Sequence, residues 1–188
     1  LYKGAAVPVG EDQVPHIEIT REIARRFNST YDIVFPEPEA LLTKFSRLPG
    51  LDGDAKMSKS LNNTILLSDQ KEEVEKKLRK AVTDPQKLRR NDPGRPDVCL
   101  VFTYHNKFNP SEVDEIRSGC ESGALGCVDC KMKCSQNINV FLEPIIEKRN
   151  YFDKNLDEVK DILKDGELRG KKVAEQTMDD VHKAMKFG

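Results

Sequence analysis

The chain has 188 residues, enough for one large domain or two small ones, and 37% apolar with 34% charged residues suits a protein that buries a core and faces water. No apolar run approaches the roughly 20 residues of a membrane span, and no signal-like segment opens the chain, so the expected compartment is the cytosol. A formal net charge of -1 gives no global attraction to nucleic acid, so any RNA contact must come from a local patch.

Val7-Pro8-Val9 reads as the end of a buried parallel strand, and Gly10 allows a tight turn after it. Asp12 is placed to cap the following helix, with Pro15 in its first turn. The recurrence of Ile19, Ile23 and Phe27 predicts that helix's buried stripe. Strand, glycine turn and helix together make a nucleotide-binding edge, since ligands of open parallel sheets sit at the carboxyl ends of the strands. Asp32-Ile33-Val34-Phe35 is the next expected strand, closed by Pro36 and Pro38. A polar connection anchored by Leu41-Leu42 and Leu48 leads to Lys56-Met57-Ser58-Lys59-Ser60. One Met among lysines and serines buries little, so this stretch is expected to be a mobile surface loop. Two ammonium groups three positions apart, with hydroxyls between, can converge on one polyanion and neutralise charge developing at phosphorus. The alternative is a solvated Lys/Ser loop.

From Ser68 the pattern turns helical, with Val74, Leu78 and Ala81-Val82 as its stripe and Thr83-Asp84-Pro85 as its stop, which places a domain boundary near residue 68. Lys76, Lys77, Arg79, Lys80, Lys87, Arg89, Arg90 and Arg95 form a basic concentration, which is either an RNA-facing patch or the solvated face of a helix. Further helices are expected after Asp97 (Val98, Val101, Phe102, His105), after Asn109-Pro110 (Val113, Ile116), across Ile138 to Ile146 despite Pro144, across Leu156 to Leu163, and across Val173 to Met185. Between Gly119 and Ser135 three glycines and four cysteines predict a loop too poor in apolar carbon to hold its shape by burial. Five cysteines without an export signal argue for reduced thiols and for metal ligation over disulfides. Leaving Cys134 aside, Cys99, Cys120, Cys127 and Cys130 are spaced C-x20-C-x6-C-x2-C, whose last pair is a metal knuckle. Four thiolates suit zinc or an iron-sulfur cluster equally, and Cys134 is either a bystander or a substitute for Cys99.

The pentapeptide matches, letter for letter, the KMSKS signature of class I aminoacyl-tRNA synthetases. Val7 to Gln13, His16, Glu18, Thr20 to Asn28, Ala81 to Pro85 and Val173 to Met185 are similar to the tryptophan-specific members of that family. The resemblance implies an α/β plus all-α chain. Residues 1–68 would be the carboxyl-terminal part of a Rossmann-like nucleotide-binding domain, and 69–188 a helical anticodon-binding domain whose last helix returns to the catalytic domain. It implies ATP-dependent attachment of L-tryptophan to its cognate tRNA through tryptophanyl-adenylate, with Mg2+. Lys56 and Lys59 would hold the departing pyrophosphate. Gly10, Glu11, Asp12, Leu48, Met57, Ser58 and Ser60 would complete the ATP site, with Asp12 on the ribose and Leu48 against the adenine. Gln13 would seat tryptophan, with Val7 and Val9 lining its side-chain pocket. For the cysteines the resemblance favours a [4Fe-4S] cluster over zinc, although the family's first spacer is longer than the twenty residues here. The family's HIGH-type motif is not in this sequence, so the resemblance implies the carboxyl-terminal portion of a synthetase that is inactive alone and homodimeric when whole. The competing reading is a tRNA anticodon-binding module with a structural metal or Fe-S site.

Overall fold

A computed structural model describes residues 1–42, 48–53 and 57–187. Two compact units divide the chain, Leu1–Ser46 with Asn155–Gly188, and Arg47–Lys154.

In the first unit β1 (Ala6–Pro8) pairs with β2 (Glu39–Leu41) in parallel, Val7 opposite Ala40, and α1 (Val14–Thr30) makes the crossover that a parallel pair requires. Three features differ from expectation. The second strand is not Asp32–Phe35, because Asn28 takes that segment's backbone groups. Its Oδ1 accepts from the amides of Val34 and Phe35 at 3.0 and 3.1 Å, and its Nδ2 donates to the Phe35 carbonyl at 2.8 Å. With those groups satisfied by a side chain, pairing resumes only beyond Pro38. Asp12 is not the cap of α1. Glu11–Gln13 form a 3-10 turn first, closed by the Gln13 amide on the Gly10 carbonyl at 3.0 Å, and Gln13 occupies the cap position. The buried face of α1 is also rotated from the predicted stripe. Ala24 is buried and Phe27 packs its ring 4.9 Å from those of Tyr31 and Phe35, whereas Ile19 and Ile23 are exposed.

The closing helix of this unit, α6 (Leu156–Met185), is continuous over 30 residues where two shorter helices were expected. The intervening polar stretch stays helical with i,i+4 pairs such as Asp165 with Arg169 at 2.8 Å. Lys3 and Asp180 form an ion pair at 2.7 Å.

The second unit is helical, without a strand among its described residues: α2 (Lys71–Lys80), α3 (Leu100–Phe108), α4 (Val113–Glu121) and α5 (Cys127–Lys154). Val74 and Leu78 of α2, Val101 and Tyr104 of α3, Ile116 of α4, and Cys134, Ile138 and Leu142 of α5 bury together as the core. The predicted loop from Gly119 to Ser135 is mostly helix. Cys127, Cys130 and Cys134 recur at helical spacing and continue into Ile138 and Leu142, so they open α5's buried face. Only residues 122–126 turn. Gly123, at φ +77°, supplies the left-handed step that ends α4, with its amide on the Cys120 carbonyl and the Leu125 amide on that of Gly119. A glycine that reads as looseness is here a helix stop. Among the described residues no helix is long and apolar enough to cross a membrane.

Candidate functional sites

At the carboxyl end of β1 the first unit gathers Val7, Val9, Gly10, Glu11, Asp12 and Gln13. Val7 and Val9 are half-buried, two residues apart on an extended segment and so on one face. The Asp12 carboxylate is exposed and accepts from Gln13 Nε2 at 3.0 Å. A Cβ on Gly10 would lie 2.8 Å from Asp12 Oδ1, so the glycine keeps the backbone open beneath that carboxylate. The turn therefore presents an acceptor, an amide and a bare stretch of main chain to one side, groups suited to a ribose hydroxyl and a polar ligand.

The second unit carries the lysine loop. Lys56 lies outside the described residues, and Leu48 is half-buried at the loop's entrance. Met57 is half-buried against the helical core, contrary to the expectation that nothing in the loop packs. Lys59–Leu61 form a 3-10 turn ended by Asn62 in the left-handed region, at φ 53°. The hydroxyls of Ser58 and Ser60 bond to each other at 2.8 Å. Lys59 is exposed and makes no ion pair with a described carboxylate. Behind it, Asn63 is buried and bonds Ser58 and Asp52. No local pattern marks Asn63, whose partners lie five and eleven positions away.

The basic concentration is largely neutralised. Lys76 pairs with Glu73, Lys77 with Asp69 at 2.6 Å, Arg79 with Glu75 at 2.6 Å, and Arg90 with Asp129 at 3.1 Å. Lys87 is buried and donates to the Asp92 carbonyl, and Arg95 clasps Asp84 through two nitrogens at 2.6 and 3.1 Å. Gln86 and Arg95 add backbone amides, so Asp84 is held well below the ordinary carboxylate value, first by the Arg95 side chain. Lys80 and Arg89 make no ion pair with a described carboxylate. A groove of about 370 Å³ beside the start of α5 is lined by Lys87, Arg89, Arg90, Cys127 and Asp129.

Cys99 sits at the start of α3, Cys120 in the last turn of α4, and Cys127 and Cys130 in the first turn of α5. Burial pushes the Cys130 thiol up to about 12, and Cys99, Cys120 and Cys127 push it the same way, so these four sulfurs lie within electrostatic reach of one another. They are not drawn into a coordination shell: among the described residues no three His, Cys, Asp or Glu side chains converge as a ready metal site. Cys134, completely buried one turn further on, is also raised by burial, with Cys130 and Cys99 as its neighbours. Pattern reading placed His105 only on a helix stripe. It is fully buried, with Nε2 3.1 Å from the Cys130 carbonyl and 3.4 Å from Cys130 Sγ.

Residues 1–143 match the family described as tRNA synthetases class I (W and Y). The tryptophan--tRNA ligase of Aquifex aeolicus is 51% identical over 98% of this chain and 47% of its own length, and that of Thermotoga maritima is 46% identical over 98% and 57%. The chain thus spans about half the length of these relatives. Among solved structures, the tryptophanyl-tRNA synthetase of Campylobacter jejuni complexed with ADP and tryptophan superposes with a TM-score of 0.78 at 29% identity, over 98% of this chain and 58% of that one. On this match over most of its length, the chain belongs to the class I tRNA synthetases of the tryptophan and tyrosine group.

Proposed function

We propose that the chain carries the lysine-loop part of a tryptophan-activating enzyme, one that joins L-tryptophan to its tRNA by way of tryptophanyl-adenylate. The observation that carries this reading is the exposed Lys59 on its turn, inside a chain whose relatives bear the name tryptophan--tRNA ligase. The tryptophan carboxylate attacks the α-phosphorus of ATP, the bond to the bridging oxygen breaks, and pyrophosphate leaves with the electron pair. No protein nucleophile is needed, only alignment and neutralisation of the leaving group. Lys59 and Lys56 hold the pyrophosphate, with Met57, Ser58 and Ser60 completing the cradle. Gly10 and Glu11 form the floor of the nucleotide site, Asp12 accepts from the ribose, Leu48 meets the adenine, and Gln13 with Val7 and Val9 receives tryptophan. The described loop offers ammonium and hydroxyl groups rather than carboxylate ligands, so Mg2+ fits as a companion of the nucleotide phosphates, adding positive charge there. In the second step the terminal ribose hydroxyl of tRNA attacks the adenylate carbonyl and AMP leaves.

The donor set Cys99, Cys120, Cys127 and Cys130 fits a soft metal centre, a [4Fe-4S] cluster with Zn2+ as the alternative. Mutual sulfur repulsion and burial oppose the thiolates, and a cation among them reverses both. Bound there, it would staple the start of α3, the end of α4 and the start of α5. Residues 1–68 belong, in this reading, to the catalytic domain and 69–188 to the anticodon-binding domain, the enzyme being a cytoplasmic homodimer.

The test is Lys59→Ala in the complete protein that carries this chain, followed by tryptophan-dependent exchange of pyrophosphate into ATP. Because Lys59 acts on charge that develops in the transition state, kcat should fall by about a hundredfold or more while tryptophan binding changes little. An equal loss in both would remove the clamp assignment, and exchange that ignores tryptophan would remove the substrate.

A further inference from the structure

The lysine loop is held by a side chain outside the pentapeptide. Asn63 is 3% exposed, and its amide joins two parts of the chain. Oδ1 accepts the Ser58 N–H at 2.8 Å, and Nδ2 donates to both carboxylate oxygens of Asp52 at 2.9 Å. Its main-chain carbonyl accepts the Leu51 N–H at 2.8 Å. The chain entering the loop is thus fastened to the chain leaving it, and both to the backbone immediately before Lys59. This fastening is itself anchored in the helical core. The Val82 N–H, just beyond α2, donates to the Leu51 carbonyl at 3.0 Å, and the buried Tyr104 hydroxyl of α3 donates to the Pro49 carbonyl at 2.7 Å. Gly50 lies so close to the Asn63 amide that any Cβ there would collide with Nδ2.

We propose that Asn63 is the positioning residue of the lysine loop, bonding Asp52 on one side and the Ser58 main chain on the other so that Lys59 stands pre-placed for the leaving pyrophosphate. The proposal rests on the reading of Lys59 as the pyrophosphate clamp. Only a side chain with a donor and an acceptor on one short planar group satisfies both partners, and leaving either end of the buried Asn63 amide unmet is costly. Catalysis by fixed charge depends on the charge being in place before the reaction, so a slack loop lowers the rate without touching the ammonium itself.

The experiment exchanges the two partners' chemistry. Asn63→Asp keeps an acceptor for Ser58 but sets two carboxylates face to face. Asp52→Asn combined with Asn63→Asp restores a donor-acceptor pair running the other way. Both are measured in the complete protein by tryptophan-dependent pyrophosphate exchange, beside Lys59→Ala. The expected result is a kcat at least about tenfold lower for Asn63→Asp, a tryptophan KM within about twofold of the parent, and recovery of kcat to within about threefold in the double variant. An unchanged kcat in Asn63→Asp, or a double variant as slow as the single one, overturns the proposal. If Asn63→Asp does not fold, the double variant decides alone, a near-parental kcat supporting the proposal and a slow one overturning it. Exchange untouched by Lys59→Ala would overturn the clamp reading and this proposal with it. A slow Lys59→Ala beside a normal Asn63→Asp overturns only the positioning role.

Discussion

The second unit uses single polar side chains to settle several backbone groups at once. Asp84 is the fullest case, accepting the amides of Gln86 and Arg95 and the guanidinium of Arg95 while itself buried. Its carboxyl is held below the ordinary value of 3.8, so between that value and its own lower pKa the unfolded chain binds a proton that the folded chain refuses. The stability it contributes is therefore fully present above about pH 4 and is lost as pH falls further. Asp84→Asn should be less stable than the parent at neutral pH, with the difference shrinking below pH 4, as thermal denaturation across that range would show. A constant difference would mean that the carboxylate's charge plays no part. Such roles were hidden in the sequence, where Thr83-Asp84-Pro85 reads only as a helix stop. The five letters of the lysine loop were legible at once, but Asn63 was not, because its function exists only where Asp52 and Ser58 meet in space.

At the scale of elements, apolar periodicity located the helices of the second unit well, since Val74, Leu78, Ile116, Ile138 and Leu142 all became core. It failed where side chains compete with the backbone, as Asn28 does after α1, and where cysteine supplies the buried face. Cysteine packs as a small hydrophobe, so a run that looked polar continues the stripe of α5. That changes what substitution there should do. If the four cysteines hold the proposed metal, Cys130→Ser should abolish bound iron or zinc, assayed as metal content of protein prepared without oxygen, while leaving most of the helical circular dichroism, because α5 is held from Cys134 onward by packing. Cys134→Ser should retain the metal yet lower stability by roughly 1–3 kcal/mol, the cost of a hydroxyl in a core position. Metal lost with Cys134→Ser and kept with Cys99→Ser would instead make Cys134 the fourth ligand.

For the whole molecule the net charge is only -1, and within the basic run from Lys76 to Arg95 pairing and burial leave Lys80 and Arg89 as the exposed cations without a described carboxylate partner. If the protein holds tRNA through this chain, removing Arg89, which makes no ion pair with a described carboxylate, should flatten the dependence of log K on log salt by about one phosphate contact. Removing Arg95 should weaken binding only as far as it unsettles Asp84. Equal salt slopes for Arg89→Ala and the parent would take Arg89 out of the interface.

The ion pair between Lys3 and Asp180 joins residues that synthesis separates by almost the entire chain. Arg47–Lys154 is contiguous and contains its own core, whereas the unit beginning with Leu1 is completed by α6. On a ribosome adding roughly 5–20 residues per second, β1 and α1 would wait on the order of ten seconds for that helix. Arg47–Lys154 can thus be native while the unit that it interrupts is still unfinished.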